Sequence, residues 1–120
     1  MTRRAQPEQQ IQRAVFAHIR QRGVPGLVAI HVPMGGWRRP TEAAILKGLG
    51  ATAGTPDVLL WHDGKAFALE LKSESGRPTE QQLEMLAKLD AAGVFTAITC
   101  GLNSALAVLE SWKLLRGRSA

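Results

Sequence analysis

Two β-rich runs, Asp57-Val-Leu-Leu-Trp-His62 and Lys65-Ala-Phe-Ala-Leu-Glu-Leu-Lys72, are separated by Asp63-Gly64 alone. Asp-Gly between such runs is the strongest short-range signal for a two-residue hairpin, because its turn needs positive φ at both central positions. A turn of that length also fixes the register. With His62 opposite Lys65, counting back along both strands sets Asp57 opposite Glu70. Directly opposed side chains have Cβ atoms about 5 Å apart, and like charges there destabilise the pair unless a cation compensates. Lys72, two residues beyond Glu70, shares its face. Two hard carboxylate ligands beside an ammonium suit Mg²⁺ or Mn²⁺ and a phosphate, and the pattern lacks the thiolate and imidazole set of a zinc site. A plainer reading stays open, since exposed strands often carry Glu and Lys and a bulge would break the pairing.

The rest of the chain supplies helices for both faces of a sheet. Pro7 suits a first helical turn, and Ile11, Val15 and Ile19 recur at four-residue spacing until Gly23. Glu8 heads that stripe and points toward whatever the stripe packs on, presenting also the acidic first turn that a helix dipole favours. Gln12 reads as a solvent-facing helix residue or as an assistant to Glu8. Leu27 to Val32 reads as a first strand, followed by the loop Pro33-Met-Gly-Gly-Trp-Arg-Arg-Pro40. Two glycines allow that loop to move while Arg38 and Arg39 reach phosphates, which makes it a candidate DNA-contacting flap or an ordinary surface loop. Thr41 to Leu49 is expected as a short helix carrying Lys47.

Thr79 and Gln82 have capping-box spacing, and Gln82, Met85, Leu86 and Leu89 then fall on one helix face. Val94 to Thr99 is expected as a strand parallel to the Glu70 strand, because a crossover helix joins them. Ala105, Val108, Leu109 and Trp112 form the buried stripe of a last helix. Trp61 and Trp112 are expected in the core, His62 in solvent, and Lys113, Arg116 and Arg118 in a solvated basic tail. Trp37 is a loop aromatic that can stack on an unpaired base.

At 120 residues with 45% apolar content, the chain is expected to bury one core as a single domain, 1–120. Fifteen Lys and Arg against ten Asp and Glu give a net charge of +5 and a pI near 10.2, which favours a polyanionic partner such as nucleic acid. Cys100 is the single cysteine, so no intrachain disulfide forms. With a polar N-terminus and no apolar stretch of membrane-spanning length, the sequence reads as a soluble protein of a reducing, cytoplasmic compartment.

Pro56-Asp57 together with Glu70-Leu71-Lys72 resembles the signature of the metal-dependent PD-(D/E)XK nucleases. The run Gly54-Thr-Pro-Asp57-Val-Leu-Leu, the stretch Ser75-Gly76-Arg77-Pro-Thr79-Glu-Gln-Gln82, Ala92-Gly93 and the opening Glu8-Gln-Gln-Ile11-Gln12 resemble the virus-type replication-repair nuclease (VRR-NUC) domain of that superfamily. The likeness runs from about residue 7 to residue 112, and it departs at Met34, where related domains commonly carry Asn.

The resemblance implies an α/β fold, a restriction-endonuclease-like αβββαβα core with a mixed central sheet flanked by helices. It implies a divalent-metal-dependent DNA endonuclease in which Asp57, Glu70, Lys72 and Gln82 are catalytic. Glu8, Asp57, Glu70 and the Leu71 carbonyl would hold Mg²⁺ or Mn²⁺, and Arg38, Arg39, Lys47 and Arg77 would bind DNA. For compact stand-alone members, bacterial or phage-encoded, it further implies a homodimer that cuts branched DNA such as Holliday junctions, leaving 5′-phosphate ends. A restriction-like or single-strand-specific nuclease and a noncatalytic nucleic-acid-binding module are the alternatives. An RNA-processing nuclease and a small interaction protein with incidental positive charge also stay open.

Overall fold

Asp63 and Gly64 both adopt positive φ, 52° and 76°, and close the hairpin as the dipeptide requires. Around it the computed structural model, which describes residues 6–33 and 39–117, runs α1 (Gln6–Arg22), β1 (Val28–His31), α2 (Pro40–Gly48), β2 (Val58–His62), β3 (Lys65–Lys72), α3 (Glu80–Ala91), β4 (Phe95–Cys100) and α4 (Leu102–Ser111). The four strands form one mixed sheet in the order β1-β2-β3-β4. β1 and β3 flank β2 antiparallel, and β4 joins β3 in parallel after the α3 crossover. This is the expected αβββαβα order, with α2 inserted between β1 and β2. Among the described residues no helix is long and apolar enough to cross a membrane.

Alternation along the strands sorts the two faces. Val58 and Leu60 of β2 and Phe67, Leu69 and Leu71 of β3 point to one side, where Val15 of α1 and Ala105, Leu106 and Leu109 of α4 bury them. Ala68, Glu70 and Lys72 point to the other side, over which α3 lies through its buried Leu86. The core thus takes one face of β3, and polar chemistry takes part of the opposite one.

The same alternation corrects two expectations. Trp61 follows Leu60 and falls on the opposite face, where it is 42% exposed beside its cross-strand partner Val28; it is not a core residue. Trp112 does pack inward, 5.1 Å from the Phe67 ring. Near the C-terminus, Leu114 and Leu115 are buried and the Arg116 amide donates to the Arg22 carbonyl at 2.7 Å. Leu114 and Leu115 therefore dock this segment on α1, while Lys113 and Arg116 themselves are exposed as expected; Arg118 lies outside the described residues. His62 is half-buried, its Nε2 3.2 Å from the Pro25 carbonyl oxygen, so it too differs from the solvated side chain expected.

Candidate active site

The hairpin register runs from His62 opposite Lys65 to Val58 opposite Leu69. One further step brings Asp57 beside Glu70, and Asp57 Oδ2 accepts a 2.9 Å hydrogen bond from the Leu71 amide. In a two-residue hairpin the hydrogen-bonded pairs alternate outward from the turn, so the Asp57 and Glu70 position is a non-hydrogen-bonded pair, the kind with the closest side chains. The next position would set Pro56 against Leu71. Proline has no N–H to give the Leu71 carbonyl, and the Leu71 amide itself donates to the Asp57 side chain. Asp57 is also anchored from the other side. Its carbonyl accepts from the Val32 amide at 3.2 Å, and His31 Nδ1 lies 2.8 Å from the same oxygen.

Glu70 is only 2% exposed, and its two oxygens have different surroundings. Oε2 accepts from Gln82 Nε2 at 2.9 Å and lies 3.8 Å from Lys72 Nζ. Oε1 is buried without a hydrogen-bond partner. Burial pushes the carboxyl from its ordinary 4.5 up to about 8; the charge of Asp57 and hydrogen bonding with it add to the rise, Lys72 opposes it, and Glu8 adds to it. Two acids that cannot both ionise cheaply thus share a buried site with one ammonium.

Gln82 is held from its other end. Thr79 caps α3, its hydroxyl accepting from the Gln82 amide at 3.1 Å, while Gln82 Oε1 accepts from the Thr79 amide at 2.8 Å. With its carbonyl committed to the cap, the side-chain amide has only its N–H group to present to Glu70. Capping and site contact are carried by one residue at once.

Glu8 stands at the rim, with Oε2 3.4 Å from the Ser73 amide just past the end of β3. It influences Glu70 through space, but among the described residues no group of three or more His, Cys, Asp or Glu side chains converges as a ready-made metal cluster. Gln12 lies elsewhere, in a hollow with Arg13, Phe16, Arg20 and His31. Arg39, Lys47 and Arg77 are exposed and outside the carboxylate cluster. Arg39 pairs with Glu42 at 3.8 Å, and Lys47 borders a groove of about 760 Å³ between α2 and α3. Met34, Trp37 and Arg38 lie outside the described residues. The hydrogen bond from the Leu71 amide to Asp57 was not anticipated, and the strand pattern carries no signal for it.

No family model matches the chain, and no curated protein matches it. Among solved structures, a protein described as a VRR_NUC domain protein superposes with a TM-score of 0.74 over 90% of this chain and 89% of that one, at 21% identity. The chain has the VRR-NUC fold. Within it, the hairpin, the crossover helix α3 and the start of α1 bring Asp57, Glu70, Lys72, Gln82 and Glu8 to one region. These five residues therefore lie together in space, although they come from four separate stretches of sequence.

Proposed function

We propose that the chain is a divalent-metal-dependent DNA endonuclease that hydrolyses phosphodiester bonds. The observation that carries the reading is Glu70 Oε1, a buried carboxylate oxygen with no hydrogen-bond donor, next to Asp57 and on a carboxylate whose other oxygen is held by Gln82 and Lys72. Ionising such an oxygen is costly unless a cation meets it; without one, a proton on Glu70 hydrogen-bonded with Asp57 relieves the pair. Hard oxygens from two acids fit Mg²⁺ or Mn²⁺. Asp57, Glu70 and the Leu71 carbonyl would hold the ion, with Glu8 contributing through water.

A divalent ion held by these residues would lower the pKa of a coordinated water and would offset charge on the scissile phosphate. The chain's own residues do the rest. Lys72, 7% exposed and fixed near Glu70, supplies a preorganised cation for the attacking water or for the negative charge that develops on the phosphate. Gln82 keeps Glu70 turned so that Oε1 stays free. Arg39, Lys47 and Arg77, with Arg38, are the phosphate contacts that would position DNA without reading its sequence. The excess of fifteen Lys and Arg over ten Asp and Glu agrees with a polyanionic substrate.

Branched DNA is the proposed substrate and a homodimer the working unit, because one carboxylate site serves one strand and paired cuts across a junction need two. The test is incubation with Mg²⁺ or Mn²⁺ and linear, flapped, single-stranded and four-way junction DNA. Paired nicks in the junction by a protein that sediments as a dimer are expected. Asp57→Ala, Glu70→Ala and Lys72→Ala should each abolish cleavage and leave DNA binding largely intact. Full activity in any of these purified variants would reject the assignment.

A further inference from the structure

We infer that Gly54 is a positioning residue for the carboxylate site, acting through the first turn of α3; the inference rests on the proposed nuclease reading for its consequence and on packing for its geometry. Gly54 lies three residues before Asp57, in the loop that leads into β2, at φ +81°. Its backbone seats directly on α3. A Cβ at this position would meet the Gln81 carbonyl oxygen, and would lie 2.6 Å from the Gln81 carbonyl carbon and 3.0 Å from the Gln82 nitrogen. These are backbone atoms of a hydrogen-bonded helix turn, and they cannot rotate aside as a side chain can.

The Gln82 nitrogen that such a Cβ would press is the one that donates to Thr79 Oγ1, and the Gln82 side chain is the one that donates to Glu70. Gly54 therefore joins two parts of the site that are far apart in sequence. On one side is the loop that delivers Asp57, and on the other the capped turn that orients Glu70. Any side chain at 54 would separate these surfaces by roughly 1 Å, a displacement that at a catalytic constellation costs on the order of 100-fold in rate. The separation strains the Thr79 cap first and then withdraws Gln82 from Glu70 Oε2.

The test uses the full chain carrying Gly54→Ala and Gly54→Asn. Asn tolerates positive φ, so it separates the need for space from the need for backbone freedom. Both variants should fold cooperatively. In both, the Gln82 side-chain amide signals in ¹⁵N–¹H spectra should move toward their positions in Glu70→Ala. Mn²⁺ affinity should fall 10-fold or more, about the loss expected when a partner that orients a metal ligand is removed. Cleavage should lose about 100-fold in kcat with KM for DNA within about twofold. In a Gln82→Ala background, Gly54→Ala should add little further loss of Mn²⁺ affinity. Unmoved amide signals, a Gly54→Asn protein that behaves as wild type, or variants that do not fold would each overturn the inference. Should the wild-type chain bind no Mn²⁺ and cut no DNA, the nuclease reading falls, while the amide spectra still decide the role of Gly54.

Discussion

Gln82 spans two functions with one amide, its Oε1 accepting from the Thr79 backbone at 2.8 Å and its Nε2 donating to Glu70 Oε2 at 2.9 Å. The helix cap thereby sets the orientation of a buried carboxylate. Gln82→Ala should lose both, costing roughly 1 kcal/mol of stability through the cap and 10- to 100-fold in metal affinity or turnover through Glu70. Gln82→Glu separates the two effects. Its carboxylate still accepts from Thr79 but sets a negative charge against Glu70, so melting should stay closer to wild type than in Gln82→Ala while cleavage is lost. Equal activity in Gln82→Glu and wild type would show that the contact with Glu70 is incidental.

Glu70 makes stability depend on pH in a direction opposite to that of an ordinary ion-paired carboxylate. Its carboxyl holds a proton up to about pH 8 in the folded chain, whereas its ordinary value is 4.5. Between those values the native state binds a proton that the unfolded state has released. The contribution is fully present below 4.5, falls as pH rises and is gone above about 8. The slope is at most about 1.4 kcal/mol per pH unit, and the titration belongs to the Asp57 and Glu70 pair. In chelator, wild type should lose stability relative to Glu70→Gln from about pH 5 to about pH 8. Melting curves that move in parallel for the two proteins over this range would show that Glu70 is ionised throughout.

The hairpin was legible because Asp63-Gly64 permits one turn geometry, and that geometry dictates which residues face each other. Thr79 and Gln82 were legible for a similar reason, since a capping box is a local pattern whose partners are three residues apart. Trp61 was misread because its apolar character was weighed over its place in the alternation after Leu60. Leu114 and Leu115 were missed because they follow a helix and are buried by a bridge back to Gly23, a contact across most of the chain. The elevated Glu70 proton affinity could not be read from sequence at all. It depends on burial, a product of tertiary packing, which the strand pattern does not specify.

The exposed cations should act on DNA and not on the metal site. Arg39, Lys47 and Arg77 are all exposed, and none belongs to the carboxylate cluster. Replacing any one with Ala should weaken binding of all DNA sequences alike and lower the slope of log affinity against log salt by about 1. Mn²⁺ affinity measured without DNA should be unchanged. An unaltered salt slope in all three variants would remove these residues from the DNA interface.

Asp57→Asn tests the opposed carboxylates without reference to any substrate. The substitution keeps an oxygen for the Leu71 amide, which Asp57 Oδ2 now accepts at 2.9 Å, and removes one charge. Below about pH 8 Glu70 is protonated and repulsion is already relieved, so in chelator the variant and wild type should melt close together. Above that pH both acids ionise in wild type, and the variant should be more stable by about 0.5 to 1 kcal/mol, the range for a cross-strand pair. Adding Mg²⁺ or Mn²⁺ should then raise wild type by mass action, about 2.7 kcal/mol when the ion is at 100 times its Kd, because only the folded chain presents the paired acids. The variant should gain little. The measurement is melting temperature for both proteins on either side of pH 8, with chelator and with metal. Equal metal-induced shifts in the two would mean that Asp57 holds no ion, and the cation needed to compensate the carboxylate pair would have to be Lys72 alone.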